Sequence, residues 1–403
     1  MDNTDKTKAE TDNRNISCKT EAEVQVIKEN TPKVVALYLP QYYETEYNNK
    51  WWGKGYTDWA ALKGAKPLFK GHRQPKVPLN SYYYDLSRKE DIRKQVETAK
   101  AYGVDGFAIY QYYSCGDKLL DVPTELILSD KSLDIGFFLF WVNNSWKKSW
   151  FGQDDSVIWE QRYGDETEWR RQFDESLRFF RDERYMKVGN KPIYAVYSAW
   201  RFDRMDEFIA CWNEWAIAEG FDGIYFVKGA RYQDKGELGS FDAIVSREPD
   251  FTLAYDEGLA AHAYRFIRTR LLTVINKYIL MPQGKGLIKY FIDYDRVWEH
   301  IIARDYTRKG ILPGAFPDWD NSPRKGYNAY IVKGATPEKF KHYFTRLYEK
   351  AAKAGSPFIL INAWNEWAEG AYLEPDERSG YGYLEGIKAA KSAYKEEAEQ
   401  DRE

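Results

Sequence analysis

KFKHYFTRLYEKAAKAGSPFILINAW, residues 339–364, contains one helix-to-strand repeat of the architecture. Residues 339–355 carry apolar side chains three and four apart, the spacing of a helix with one buried stripe. After Gly355 the pattern changes to FILINAW (358–364), a short continuous apolar run of the kind buried on both faces of a parallel sheet.

The same alternation extends back to residue 33. VVALYL (34–39), GFAIYQY (106–112), IGFFLFW (135–141) and PIYAVY (192–197) read as strands one to four. GIYFVKG (223–229), DAIVS (242–246) and GAFPDW (314–319) read as five to seven, with 358–364 as the eighth. Helical periodicity fills 89–103, 166–181 and 205–220, and the first of these closes on Gly103, a glycine suited to a helix C-terminus. Eight strands with helices between them predict an α/β fold, a single parallel (β/α)8 barrel. A doubly wound open sheet is the competing arrangement, but no G-x-G-x-x-G loop follows the first strand. Two βα loops are long: 40–88, dense in Trp, Gly and Tyr, and 247–311. The second contains AHAYRFIRTRLLTVINKYILM (261–281), a basic amphipathic helix. Packing on the barrel is its ordinary reading and peripheral membrane contact the alternative. Residues 1–32 read as a disordered polar tail, 33–390 as the catalytic domain and 391–403 as a charged C-terminal tail.

Composition narrows the function. The chain has 403 residues and a net charge of −3, which argues against a nucleic-acid partner. Cys18, Cys115 and Cys211 are scattered, and so are the four histidines (72, 262, 300 and 342). Neither a disulfide framework nor a metal site is expected, and no cofactor. The N-terminus has no apolar signal core and no stretch is long enough to span a bilayer, so the expected location is cytoplasmic. The aromatic content is high, with 15 Trp, 32 Tyr and 21 Phe, and such rings suit either a large core or the apolar faces of sugars.

Position separates those two uses. Barrel enzymes carry reactive groups at the carboxyl ends of their strands. The predicted ends hold Tyr38 and Gln41 (one), Tyr110 and Tyr112 (two), and Trp141, Asn143, Asn144 and Trp146 (three). Strand seven contributes Asp318, Trp319 and Asp320, and strand eight contributes Trp364, Asn365, Glu366, Trp367 and Glu369. Stacking rings beside amides and carboxylates match vicinal hydroxyls, so an oligosaccharide is the expected substrate. The 40–88 loop adds Trp51 and Trp52. Glu366 and Glu369, among tryptophans at the end of the last strand, are the candidate acid–base pair. An apolar pocket drives two carboxyl pKa values apart, as glycosidic chemistry requires. Glu374 is a further candidate contact. The second Asn-Glu-Trp, at 213–215, lies within a helix and reads as structural.

In order along the chain stand LYLPQYY (37–43), WWGKGYTDW (51–59), AKPLFKGHRQPKVP (65–78), YGVDGFAIYQYY (102–113), FWVNNSWKKSWFG (140–152), DWDNSP (318–323) and NAWNEWAEGAYLEP (362–375). Together they resemble the WbsX-type proteins of bacterial lipopolysaccharide and capsule gene sets, which carry a glycoside hydrolase family 99-like domain. The resemblance runs from about Val34 to about Ala389. It implies a (β/α)8 barrel and retaining chemistry on α-mannoside-like bonds. The family 99 mannosidases have a motif like N-E-W-H-E-G. Its first glutamate is a base toward the substrate 2-hydroxyl, giving a 1,2-anhydro intermediate, and its second is an acid and then a base. Those positions match Glu366 and Glu369. Departures fall at Asn144, where a glutamate is common, at Gln111–Ser114, at Asp58 and at Ala368. A glycosyltransferase of surface-polysaccharide assembly using the same site is the alternative function, and a catalytically dead sugar-binding module a third.

Overall fold

The computed structural model describes residues 31–148, 156–230, 237–308 and 310–400. Most of the expected tail, 1–30, lies outside them. Eight strands form the central sheet. They are β1 (Lys33–Tyr38), β2 (Gly106–Ser114), β3 (Gly136–Trp141), β4 (Lys191–Val196), β5 (Tyr225–Gly229), β6 (Ala243–Val245), β7 (Ile311–Leu312 and, past Pro313, Gly314–Ala315) and β8 (Phe358–Ile361). Each pairs in parallel with its sequence neighbours, and β1 also pairs with β8. The circle closes through β7, whose first half pairs with β6 and whose second half pairs with β8. Pro313 has no N–H to give a ladder, so it divides the strand. Its carbonyl still accepts from the Leu360 N–H at 3.0 Å. The expected (β/α)8 barrel is therefore the fold.

The apolar runs are buried on both faces, as a parallel sheet under helices requires. Inside the barrel Phe138 of β3 meets Phe358 of β8, with ring centroids 5.5 Å apart. Outside it, the helices Glu166–Phe180 and Met205–Ala218 bring Phe173, Phe180 and Trp212 onto Tyr194 and Phe226 of β4 and β5. Asn213, in the second Asn-Glu-Trp, accepts from the Ile224 N–H at 2.8 Å and so has a structural role there. The helix Lys89–Ala101 ends where Gly103 takes φ +84°, a conformation that side chains disfavour.

Strand ends differ from the sequence reading where the chain turns away toward the site. β7 begins earlier, at Ile311, and ends at Ala315, so 316–319 leave the sheet. β8 ends at Ile361, and Asn365–Glu366 instead pair antiparallel with Ala371–Tyr372. Among the described residues no helix joins β5 to β6. The two long loops are themselves ordered. Residues 40–88 contain the helices Glu46–Trp52 and Asp58–Lys63. Residues 247–311 contain Asp250–Tyr255, Leu259–Ile275 and Tyr294–Ala303, and a strand, Tyr290–Asp293, paired with Tyr330–Lys333. The helix within 261–281 packs through one face, with Thr269, Leu272 and Asn276 buried, and leaves Tyr264, Ile267, Leu271 and Tyr278 exposed. From residue 391 the chain continues as helix to Gln400, and the Lys391 ammonium reaches Asp105 at 2.7 Å.

β6 and β7 meet so closely at Gly314 that a Cβ there would lie 1.6 Å from the Ser246 carbonyl oxygen. Gly314→Ala is therefore expected to cost at least about 1–3 kcal/mol. Urea denaturation should show a lower midpoint with the same slope. An unchanged midpoint would mean that the strands separate freely here.

Candidate active site

At the carboxyl ends of the strands opens a cavity of about 290 Å³. Its walls include Gln41 after β1, Tyr110 and Tyr112 of β2, Asn144 and Trp146 after β3, and Trp319 after β7. Glu366 and Glu369, after β8, also line it. These eight expected residues are brought together by the closure of the barrel, which places sequence-distant loops on one rim.

Local structure sets the two glutamates. The antiparallel pair Asn365–Glu366 with Ala371–Tyr372 turns through Trp367–Glu369, and Gly370 closes that turn at φ +64°. Asn365 does not face the cavity. Its amide fastens β8 to β1, accepting from the Leu39 N–H at 2.7 Å and donating to the Leu39 carbonyl at 3.0 Å. Trp367 is buried, stacked on Tyr372 with centroids 3.7 Å apart. The turn is held from the segment after β7 by the Asp320 N–H, which donates to the Glu369 carbonyl at 2.7 Å.

Between the carboxylates stands a guanidinium that sequence reading missed. Arg324, from the short helix Ser322–Lys325, donates to Glu369 at 2.8 Å and to both oxygens of Asp58 at 2.9 and 3.0 Å. Glu366 lies 3.5 Å from the same guanidinium. Asp58 is fully buried at the start of its helix. An Asp at that position ordinarily serves the helix terminus, and an Arg in a short surface-type helix carries no signal of its own. Only their meeting across 266 residues gives them a role. Arg247, after β6, and Tyr197, after β4, also line the cavity and were not anticipated.

Burial pushes the Glu366 carboxyl up to about 8, and the negative charge of Glu369 adds to this while Arg324 opposes it. Glu366 thus holds a proton near neutrality in the free protein. Its side chain is 8% exposed against 27% for Glu369, so Glu366 sits deep and Glu369 nearer the mouth.

Eleven of the expected site residues do not line the cavity. Tyr38 and Glu374 belong to a buried network beneath it. The Tyr38 hydroxyl donates to Gln95 at 2.7 Å, and Gln95, Tyr84 and Trp367 donate to Glu374 at 2.8, 2.8 and 2.6 Å. Burial raises the Glu374 carboxyl to about 7 against these donors. Trp141 donates to the Tyr113 carbonyl and stacks on Phe208, on the helix side of the barrel. Asn143 ties the ends of β3 and β4 through both hydrogen bonds to the Ser198 backbone. Trp364 packs on Phe107 inside the core, beside the already described Asn365 and Trp367. Trp51 and Trp52 are half-buried in Glu46–Trp52, away from the cavity lining. Asp318 and Asp320 face a separate open groove. There Asp318 accepts from Lys76 at 2.8 Å, and Asp320 accepts from Gln74 at 2.7 Å and contacts His72 at 2.9 Å. Burial raises the Asp320 carboxyl, but these partners hold it at about 2.

Comparison with known proteins agrees with this architecture. WxcX of Xanthomonas campestris pv. campestris is 31% identical over 362 residues, which is 89% of this chain and 49% of WxcX. The chain therefore spans about half the length of the curated relatives it matches. Two structures of the GH99 endo-alpha-mannosidase from Bacteroides thetaiotaomicron superpose with TM-scores of 0.50 and 0.51. Each shares 12% identity and covers 91% of this chain and 98% of the other, a likeness of fold. The family model described as glycosyltransferase WbsX matches residues 34–387, nearly the whole described barrel, and the chain belongs to that family.

Proposed function

We propose that the protein cleaves α-glycosidic bonds of manno-configured sugars in a bacterial glycan, with Glu366 and Glu369 as its acid–base pair. The observation that carries this reading is the pair itself: two glutamates on one tight turn, sharing Arg324, in a ring-walled cavity at the mouth of the barrel. Glu366, deep in the cavity, takes the proton of a 2-hydroxyl in its ionised form, which is populated as pH approaches about 8; Glu369, nearer solvent, is placed to protonate the leaving oxygen and then activate water. Attack by the 2-oxygen on the anomeric carbon would expel the leaving group and give a 1,2-anhydro sugar. Water would open it with retention. Tyr112, Trp146 and Trp319 provide faces for the ring, and Gln41 and Asn144 hydrogen bonds for hydroxyls.

The family's description as a glycosyltransferase supports a second reading, in which the sugar passes to an acceptor hydroxyl instead of water. Incubation with aryl α-mannosides, and separately with nucleotide sugars plus acceptors, distinguishes the two. Release of sugar without a nucleotide donor is expected, and turnover only with the donor would overturn the hydrolytic reading.

The pH profile tests the division of labour. A base must be ionised in the free protein, and Glu366 ionises at about 8. kcat/KM should therefore rise as pH is raised toward about 8, by roughly tenfold per unit below it. A profile that falls through this range would give Glu366 the proton-donor role.

A further inference from the structure

Two buried arginines flank β6 and β7, and they are satisfied very differently. Arg304 donates to Glu248 at 2.9 Å, Thr252 at 3.0 Å and Tyr306 at 3.2 Å, and also pairs with Asp256. Arg247 is 5% exposed and lines the active-site cavity, yet among the described residues its Nε and Nη1 have no hydrogen-bond partner. Its guanidinium lies 3.9 Å from the Tyr197 ring centroid and hydrogen-bonds the Tyr197 side chain, and its nearest carboxylate, Asp250, is 3.9 Å away and half exposed. The cavity's other guanidinium, Arg324, engages Asp58, Glu366 and Glu369 through both terminal nitrogens, and only its Nε has no partner among the described residues. A buried cation with open donors is costly unless something supplies the acceptors. Gln41 Nε2 and Asn144 Oδ1 in the same cavity are also without partners among the described residues, and they match neutral hydroxyls.

We propose that Arg247 receives an anionic substituent, a carboxylate or a phosphate, on the bound glycan, so that the substrate is an acidic sugar. This rests on the reading of the cavity as a glycan site. Guanidinium bonds to such anions are charge-assisted and geometrically selective. Calorimetric titration with methyl α-mannopyranoside, methyl α-mannopyranosiduronate and methyl α-mannopyranoside 6-phosphate needs no turnover. An anionic sugar is expected to bind about tenfold or more tighter than the neutral one. The preference should vanish in Arg247→Gln and persist in part in Arg247→Lys, while a merely structural arginine would weaken all three sugars alike. The arm that gains affinity identifies the anion. Equal binding of the three, or a preference untouched by Arg247→Gln, overturns the proposal and leaves the glycan reading in place. Binding of none overturns both.

An independent observation concerns the helix Leu259–Ile275 and its continuation to Gln283. Of fifteen exposed large apolar side chains among the described residues, ten lie between Leu259 and Leu287. Ile267, Leu271, Val274 and Tyr278 recur at helical spacing on the outward face, 64, 57, 54 and 67% exposed. The opposite face is fixed by Arg265 to Glu257, by buried Thr269 and Leu272, and by Asn276, whose side chain bonds the Leu287 backbone at 2.8 and 2.9 Å. Residues 259–287 contain no acidic side chain, and Arg268, Arg270, Lys277 and Lys285 accompany the apolar stripe. Two copies joined on this face would oppose like charges, whereas anionic headgroups complement them. Among the described residues no helix is long and apolar enough to cross a membrane, so the contact would be interfacial.

We infer that this face docks on an anionic lipid surface. In vesicle flotation the protein should bind phosphatidylcholine vesicles containing phosphatidylglycerol, bind poorly without it, and lose binding in high salt. The double substitution Ile267→Glu and Leu271→Glu, both on exposed positions, should abolish flotation while circular dichroism and the urea midpoint stay unchanged. No flotation with anionic vesicles, or a dimer in light scattering that the same substitutions dissolve, would overturn the inference.

Discussion

Glu366→Gln and Glu369→Gln should each lower turnover of an α-mannoside by about 10²–10⁴-fold, the usual worth of a positioned acid or base. Glutamine keeps the shape of each side chain and removes its proton chemistry. For Glu366 the change imitates the protonated form that burial already favours, so the fold should be unaffected. Glu369→Gln weakens the 2.8 Å bond from Arg324, but this side chain is 27% exposed and water can replace part of the loss. Initial rates beside urea midpoints separate the two effects. Either variant retaining the full rate at an unchanged midpoint would remove that glutamate from the chemistry.

Arg324→Met is expected to lose both activity and stability. The guanidinium is shared by Asp58, which is fully buried, and by the two glutamates. Removing it strands carboxylates in a low-dielectric site, which costs about 3–5 kcal/mol for a buried pair. Asp58→Asn added to Arg324→Met should recover much of that stability, because the stranded charge is gone. Activity should not return, since Glu369 still lacks its partner. The coupling between the two changes in urea denaturation measures the interaction directly. Additive losses would show that Arg324 is not the centre of the cluster.

The barrel was legible because its cause is local. A run such as 358–361 is apolar throughout, and the 339–355 periodicity beside it leaves only a helix-covered parallel sheet as a place to bury both. The split of β7 was less legible. Pro313 belongs to no apolar run, and which half pairs with which neighbour depends on how the sheet closes.

The site divided along the same line. Glu366 and Glu369 announced themselves by position, on a turn directly after the last strand. Tyr38, Trp364 and Glu374 have equally suitable chemistry and nearby positions, yet they lie beneath the cavity. A strand alternates its side chains between two faces, and a loop residue can turn inward to brace its neighbours. Asn365, one residue from Glu366, turns its amide to the Leu39 backbone and the Tyr84 hydroxyl.

What the sequence determined by itself is the repeating helix-and-strand architecture, the family and the turn that carries the two glutamates, all written in short contiguous stretches. What only the tertiary structure decided is which groups face those glutamates. Arg324 and Asp58 are 266 residues apart, and Arg247 is far from both in the chain. The reason is physical: electrostatic partnership depends on separation in space and on exclusion of water, and neither exists until the barrel closes.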